Sequence, residues 1–229
     1  MTYQFPPMPV VAVPVQGSGN LFPVHRIYCV GKNYAAHIRE MGSDPSREAP
    51  CFFMKPNDAI VLDGKFPYPP GSHNVHYEGE LVIAIGKGGR DIPPGQALDH
   101  VLGFALGLDM TRRDLQVAAG RIGMPWDTGK GFDHSAPLSA IVPRSDCGDM
   151  NAGAIRFWLN DELRQDADLD DLIWKNHEIV AQLSRLFELQ AGDLVFTGTP
   201  AGVGAVKPGD RMRLEIAGLG ELQVSVTGD

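Results

Sequence analysis

The feature that most constrains this chain is an imbalance between its local signals. Short runs of β-branched, aromatic and aliphatic residues recur at 26–30, 51–54, 80–85, 101–108, 155–159, 193–196, 212–216 and 221–226. Helix signals are few and do not alternate with these runs, which argues against a doubly wound parallel sheet. Asn160-Asp161 reads as the turn of a hairpin joining 155–159 to 162–164, and Gly218-Leu219-Gly220 as the turn of a final hairpin. Leu169, Leu172, Ile173, Val180, Leu183, Leu186 and Phe187 form an apolar stripe of helical period that stops at Ala191-Gly192. Residues 111–122 form a second helical candidate, and 33–41, closed by Gly42, a short third. The expectation is an α+β, predominantly β domain. Residues 1–20, rich in Pro and Gly, read as an N-terminal extension, and 21–229 as a single domain.

Several functional classes are disfavoured at once. The net charge is −8 with no basic cluster, which argues against nucleic-acid binding. No apolar run approaches the roughly 20 residues that span a bilayer, and the Pro-rich start has no basic leader region, so neither a membrane span nor a signal peptide is expected. Three scattered cysteines, Cys29, Cys51 and Cys147, fit no metal or redox spacing. Each lies in or beside an apolar run, where an inert buried thiol is expected, and a cytoplasmic setting follows. The Gly-rich stretch 123–131 lacks P-loop spacing, with Gly131 where Ser or Thr would hold magnesium. Gly202-Val203-Gly204 lacks the third glycine of a dinucleotide fingerprint, and there is no GxSxG or HExxH.

The residues with chemical promise are acidic. Leu81 to Ile85 are apolar, and Glu78 and Glu80 stand just ahead of them. Strand geometry points i and i+2 to one face, so these two carboxylates repel unless a cation lies between them. A third acid, Asp109, ends the apolar run 101–108. Three carboxylates suit Mg²⁺ or Mn²⁺ rather than zinc. The alternatives are a solvated strand entrance for the glutamates and a helix N-cap for Asp109. His37 and Glu40 share a helix face at i and i+3, as a base and its orienting acid would, or as a surface ion pair would. Gly31 and Gly42 would let that segment move as a lid, or simply turn the chain.

In their order, these residues and their neighbours resemble the fumarylacetoacetate hydrolase family, closest to its short fumarylpyruvate and acylpyruvate hydrolases. The resemblance runs from about Arg26 to Val226. It rests on Val30-Gly31-Lys32-Asn33-Tyr34-Ala35-Ala36-His37, Phe53-Met54-Lys55-Pro56, His76-Tyr77-Glu78-Gly79-Glu80-Leu81, Leu108-Asp109-Met110-Thr111-Arg112-Arg113-Asp114-Leu115-Gln116, Trp126-Asp127-Thr128-Gly129-Lys130-Gly131-Phe132-Asp133 and Phe196-Thr197-Gly198-Thr199-Pro200-Ala201-Gly202-Val203-Gly204.

The resemblance implies a β-roll of mixed sheets with few helices, a homodimer, and a part in aromatic catabolism. It implies that Glu78, Glu80 and Asp109 bind Mg²⁺ or Mn²⁺, and that His37 and Glu40 activate water on a lid. It sets Arg113, Gln116, Lys130 and Thr199 around the carboxylate and oxo groups of a small diketo-acid substrate, with Lys130 stabilising a developing oxyanion. His76 is expected to support rather than ligate, and Lys55 to contact substrate. Longer family members take a fourth metal carboxylate from the segment here occupied by residues 28–32, which holds no acid, as in the short members. The implied reaction is hydrolysis of a carbon–carbon bond in an acylpyruvate, releasing pyruvate. Its rivals are oxaloacetate decarboxylation or hydroxymuconate-type isomerisation on the same metal site, and a catalytically idle binding module. A fumaryl group would need a cation for its far carboxylate, for which Lys32, Arg39 and Arg47 are candidates.

Overall fold

The computed structural model describes residues 2–40 and 49–228. Gly42 and Arg47 lie outside the described residues. The described fold is built of mixed sheets with few helices, as expected from the scattered β-rich runs.

A six-stranded sheet carries the chemistry. Its order is Val142–Pro143, Val101–Leu108, Gly79–Ile85, Leu194–Phe196, Ile27–Gly31 and Cys51–Lys55. All neighbours run antiparallel except Leu194–Phe196 and Ile27–Gly31, which are parallel. Every residue of Gly79–Ile85 is buried, because both faces of this central strand are covered. Leu81, Ile83 and Ile85 enter the larger core, against side chains such as Phe157 and Leu214 of a second sheet. Val82 and Ala84 point the other way, into a smaller core with Phe196 and Leu138. The acids at the mouth of this strand are therefore held on a rigid, doubly packed element.

The second sheet orders Glu162–Asp168, Ala154–Leu159, Arg211–Ile216, Gly220–Thr227 and Lys65–Pro67. Asn160 and Asp161 turn its first hairpin with φ of 50° and 68°, the left-handed pair that a two-residue turn of this kind requires. A small third sheet joins Thr111–Arg112, Val75–Tyr77 and Gly204–Ala205. At the N-terminal end Ala12–Pro14 pairs with Leu21–Pro23, and Val13 is fully buried.

The helices are shorter than the sequence pattern suggests. The 111–122 candidate is helical only over Arg113–Arg121, because Thr111 and Arg112 pair with His76 and Val75. The 33–41 candidate is helical over Ala35–Glu40, with Met41 outside the described residues. The long apolar stripe splits into a 3₁₀ turn at Leu169–Asp171 and a helix at Asn176–Leu186. The cause is Asn33. Its side chain accepts the Trp174 N–H at 2.8 Å and its carbonyl accepts the Ile173 N–H at 2.9 Å. Those contacts hold 172–174 out of the helix, so tertiary hydrogen bonds override local helical period.

Candidate active site

The three acids meet because two strand ends are in register. Gly79 pairs with Leu108, and the Asp109 N–H donates to the Glu78 carbonyl at 2.9 Å. One carboxylate oxygen from each of Glu78, Glu80 and Asp109 lies within 4.8 Å of the others. Gly79 sits in a tight space between the glutamates. A Cβ there would stand 2.8 Å from Leu214 Cδ1 and 3.1 Å from Gln165 Oε1, so a side chain would have to displace both of these. Asp109 is not a helix N-cap, since the helix begins four residues later. All three acids are buried, which rules out the solvated alternative.

Buried carboxylates need compensation, and it is unevenly distributed. Lys130 Nζ donates to Glu78 Oε2 at 2.8 Å, Asp109 Oδ2 at 2.7 Å and Thr111 Oγ1 at 2.8 Å. Arg113 forms a short ion pair with Glu78 Oε1. Lys55 Nζ stands 2.8 Å from Asp109 Oδ1, outside hydrogen-bonding angles. Glu80 receives only the Gly198 N–H, at 2.8 Å, and has no cationic partner among the described residues. Burial alone would raise the pKa of Glu78, but Lys130 and then Arg113 outweigh it and hold the carboxyl well below the usual range. Burial, followed by the charges of Asp109 and Glu78, pushes Glu80 well up. Burial works against the charge on Lys130, yet Asp109 and Glu78 keep its pKa above the ordinary lysine value. This hard-oxygen set, with one uncompensated carboxylate and an unbonded Asp109 oxygen, fits a small divalent cation such as Mg²⁺ or Mn²⁺.

The cleft over these acids has a volume of about 420 Å³. His37 lines it, and its Nδ1 lies 3.1 Å from Glu40 Oε2. Glu40 is in turn anchored by the Gly202 N–H, at 3.1 and 3.2 Å to its two oxygens. Gly202 has φ of +99°, and a Cβ there would come within 1.9 Å of the Arg164 carbonyl, so only glycine can present this N–H.

Arg113, Gln116, Lys130 and Thr199 also border the cleft. Arg113 donates to Gln116 Oε1 at 2.6 Å, so the two side chains border the cleft as a bonded pair. The Thr199 hydroxyl donates to the Gly79 carbonyl and accepts from Gln165 Nε2, at 2.9 and 2.8 Å. Lys55 is not among the lining residues. It lies behind Asp109 and also donates to the carbonyls of Met110 and Lys130, so it braces the acid from below. His76 bonds Asn74 through Nε2 at 2.9 Å, and burial, then the nearby Arg113, lowers its pKa to about 4. It is a neutral supporting ring.

Cys29 is buried, and its thiol pKa is raised well above normal by desolvation, so it is inert. Cys51 departs from the expectation: it is exposed, because Cys51–Lys55 is the edge strand of its sheet. Lys32 lines the cleft, whereas Arg39 does not.

Three contributors escape sequence reasoning. Gln165, from the second sheet, accepts the Gly79 N–H at 3.1 Å and carries Thr199. Nothing in its local sequence separates it from an ordinary strand glutamine. Trp126 and Arg121 line the cleft as well. Arg121 was detectable, since it continues the helix face of Arg113, Gln116, Val117 and Gly120 at positions i+3, i+4, i+7 and i+8.

Residues 26–227 match the model of the fumarylacetoacetate (FAA) hydrolase C-terminal domain. The chain belongs to the fumarylacetoacetate hydrolase family. The family fold is evident in a crystal structure of fumarylpyruvate hydrolase from Pseudomonas aeruginosa in complex with Mn²⁺ and pyruvate. That chain is 53% identical, with full coverage of both chains and a TM-score of 0.97. A fumarylpyruvate hydrolase of Ralstonia sp is 44% identical over 80% of this chain and 95% of its own length. An oxaloacetate tautomerase, the mitochondrial FAHD2 protein of Oryza sativa subsp. japonica, is 38% identical over 88% of this chain and 90% of its own length. Other family members thus share this scaffold with different chemistry.

Proposed function

We propose that the protein hydrolyses the carbon–carbon bond of a fumarylpyruvate-type 2,4-diketo acid, releasing pyruvate and a carboxylic acid. The observation that carries this reading is that a His37–Glu40 pair and a three-carboxylate cluster border one cleft. Hydrolysis needs both an activated water and a stabilised enolate; decarboxylation and tautomerisation need no attacking water. The similarity to two fumarylpyruvate hydrolases, one holding Mn²⁺ and pyruvate, supports the same reading.

Glu78, Glu80 and Asp109 hold Mg²⁺ or Mn²⁺. The cation supplies Lewis-acid charge to the 2-oxo acid end of the substrate and to the electrons that the broken bond leaves there. Arg113 and Gln116 orient the substrate carboxylate, with Thr199 bordering the same end. His37 Nε2 accepts a proton from water while Nδ1 is held by Glu40, which fixes the tautomer and the ring's orientation. The water oxygen then bonds to the distal ketone carbon. The bond between that carbon and the neighbouring methylene breaks, and its electron pair becomes pyruvate enolate. The proton taken up by His37 then returns to the enolate carbon, which completes pyruvate. Lys130 keeps positive charge beside Glu78 and Asp109 throughout and stabilises the oxyanion.

Turnover of an acylpyruvate panel, set beside oxaloacetate and followed spectrophotometrically with and without Mg²⁺ or Mn²⁺, tests the assignment. We expect cation-dependent loss of the acylpyruvate chromophore with equal yields of pyruvate and acid. With no acid from any acylpyruvate, carbon dioxide from oxaloacetate would reverse it in favour of decarboxylation, and tautomer in favour of the chemistry of the tautomerase relative. Binding of diketo acids without any turnover would leave only a binding module. The reading includes a homodimer in the cytoplasm, which light scattering and cell fractionation check. Among the described residues, no helix is long and apolar enough to cross a membrane.

A further inference from the structure

The cleft has a chemical order along its length that bond cleavage alone does not require. Its floor holds the three acids with Lys130 and Arg113. Its side is one face of the Arg113–Arg121 helix. Arg121 lies eight residues beyond Arg113, about 12 Å further along the helix axis. Between the two ends the walls are apolar, with Val117, Phe53 and Trp126, the last two rings packed edge to face at 5.8 Å.

Beyond this apolar waist stand two cations, Lys32 and Arg121, both exposed and both lining the cleft. Trp126 lines the same cleft as both cations. A Cβ on Gly31 would lie 3.4 Å from Trp126 Cζ3, and one on Gly120 would lie 3.6 Å from Trp126 Nε1. Gly31 and Gly120 therefore both pack against the Trp126 ring, and each is next in sequence to one of the two cations. Neither the Lys32 nor the Arg121 side chain makes an ion pair or hydrogen bond among the described residues. Lys32 also has φ of +60°, a left-handed conformation that favours glycine or asparagine and is costly for a long side chain.

We infer that Arg121, with Lys32, binds the terminal carboxylate of a dicarboxylic 2-oxo acid. The two residues select acylpyruvates that carry a distal carboxylate over those with a neutral acyl group. The spacing suits an extended seven-carbon diacid: one carboxylate at the floor, an unsaturated or methylene linker against Trp126 and Phe53, and the other carboxylate at the rim. A guanidinium fork matches that second carboxylate bidentately, and Lys32 adds a point charge. This inference rests on the hydrolase reading for its substrate class, but its binding test does not require turnover.

The test is calorimetric titration of the Mn²⁺-loaded protein with 2-oxoheptanedioate and 2-oxoheptanoate. The two are equal in length, and neither has a 4-oxo group to cleave. Wild type should bind the diacid about tenfold or more tightly than the monoacid. Arg121→Met should remove most of that preference while leaving monoacid affinity unchanged. Lys32→Asn, which suits the left-handed backbone, should remove the remainder without lowering the melting temperature. Equal affinities in wild type, or a preference that survives in the double variant, would overturn the inference. In parallel, both variants should lower kcat/KM for fumarylpyruvate and spare acetylpyruvate. Diacid preference without turnover of any acylpyruvate would sink the hydrolase reading alone; turnover without diacid preference would sink the carboxylate clamp alone.

Discussion

The Asp109 N–H donates to the Glu78 carbonyl at 2.9 Å, so the hydrogen bond that ends one strand pair also sets two buried carboxylates side by side. The cation site is thus an extension of sheet register. Lys130 bridges the same two side chains, while Glu80 on the same strand is left without a cationic partner among the described residues.

Replacing the uncompensated acid separates cation binding from folding. Glu80→Gln keeps the shape, removes a buried charge, and should leave the melting temperature of the cation-free protein unchanged or higher. At a cation concentration of roughly 100 times Kd, wild type should gain about 2.7 kcal/mol of stability, and the variant far less. Thermal melts with and without Mn²⁺ measure both quantities. A variant stabilised as strongly as wild type would remove Glu80 from the ligand set.

His37→Ala should lower hydrolytic turnover by about 10²- to 10⁴-fold, the range of general-base catalysis. Mn²⁺ affinity should be unchanged, because His37 is no part of the three-carboxylate cluster. Single-turnover kinetics beside Mn²⁺ titration show the split. Full turnover by this variant would end the assigned role.

Gly202 acts on the same chemistry from a distance, through the N–H it gives to Glu40. Gly202→Ala places a Cβ against the Arg164 carbonyl and must displace that loop. We expect kcat to fall about tenfold or more with little change in Mn²⁺ affinity, as in the loss of an outer support for a catalytic group. Unchanged kcat in a folded variant would show that Glu40 needs no anchor.

Asp114 joins the Arg113–Arg121 helix to the loop before Val75–Tyr77. It accepts from the Ser72 hydroxyl at 2.7 Å, the His73 N–H at 3.1 Å and the Leu115 N–H at 2.9 Å. Burial opposes ionisation, but these hydrogen bonds prevail and lower its pKa. A lowered folded-state pKa stabilises above the unfolded value and is lost as pH falls through the folded value. Asp114→Ala should therefore cost about 1 kcal/mol near neutral pH. The difference from wild type should be smaller at strongly acid pH, as the carboxyl takes up its proton first in the unfolded chain and then, at the lowered value, in the folded one. Urea melts at the two pH values measure it.

Much of the fold was legible because strands and turns carry local signals. The buried run Gly79–Ile85, the Asn160-Asp161 turn and the final hairpin all match the sequence pattern. Helix ends were less legible. Asn33 keeps 172–174 out of the helix from 141 residues away in the chain, against an apolar stripe that continues through it. The acids and the His37–Glu40 spacing could be found from sequence, but their burial and pairing could not.

The sequence by itself determined the β-rich class, the family motifs and the residue types able to hold a divalent cation. Those follow from periodicity, turn chemistry and short motifs, which act between near neighbours. Only the tertiary structure decided that Lys130 neutralises Glu78 and Asp109 but leaves Glu80 bare, that Lys55 backs Asp109, and that Arg121 shares a rim with Lys32. Charge compensation depends on distances of a few ångströms between groups far apart in the chain, and those distances exist only once the sheets have packed.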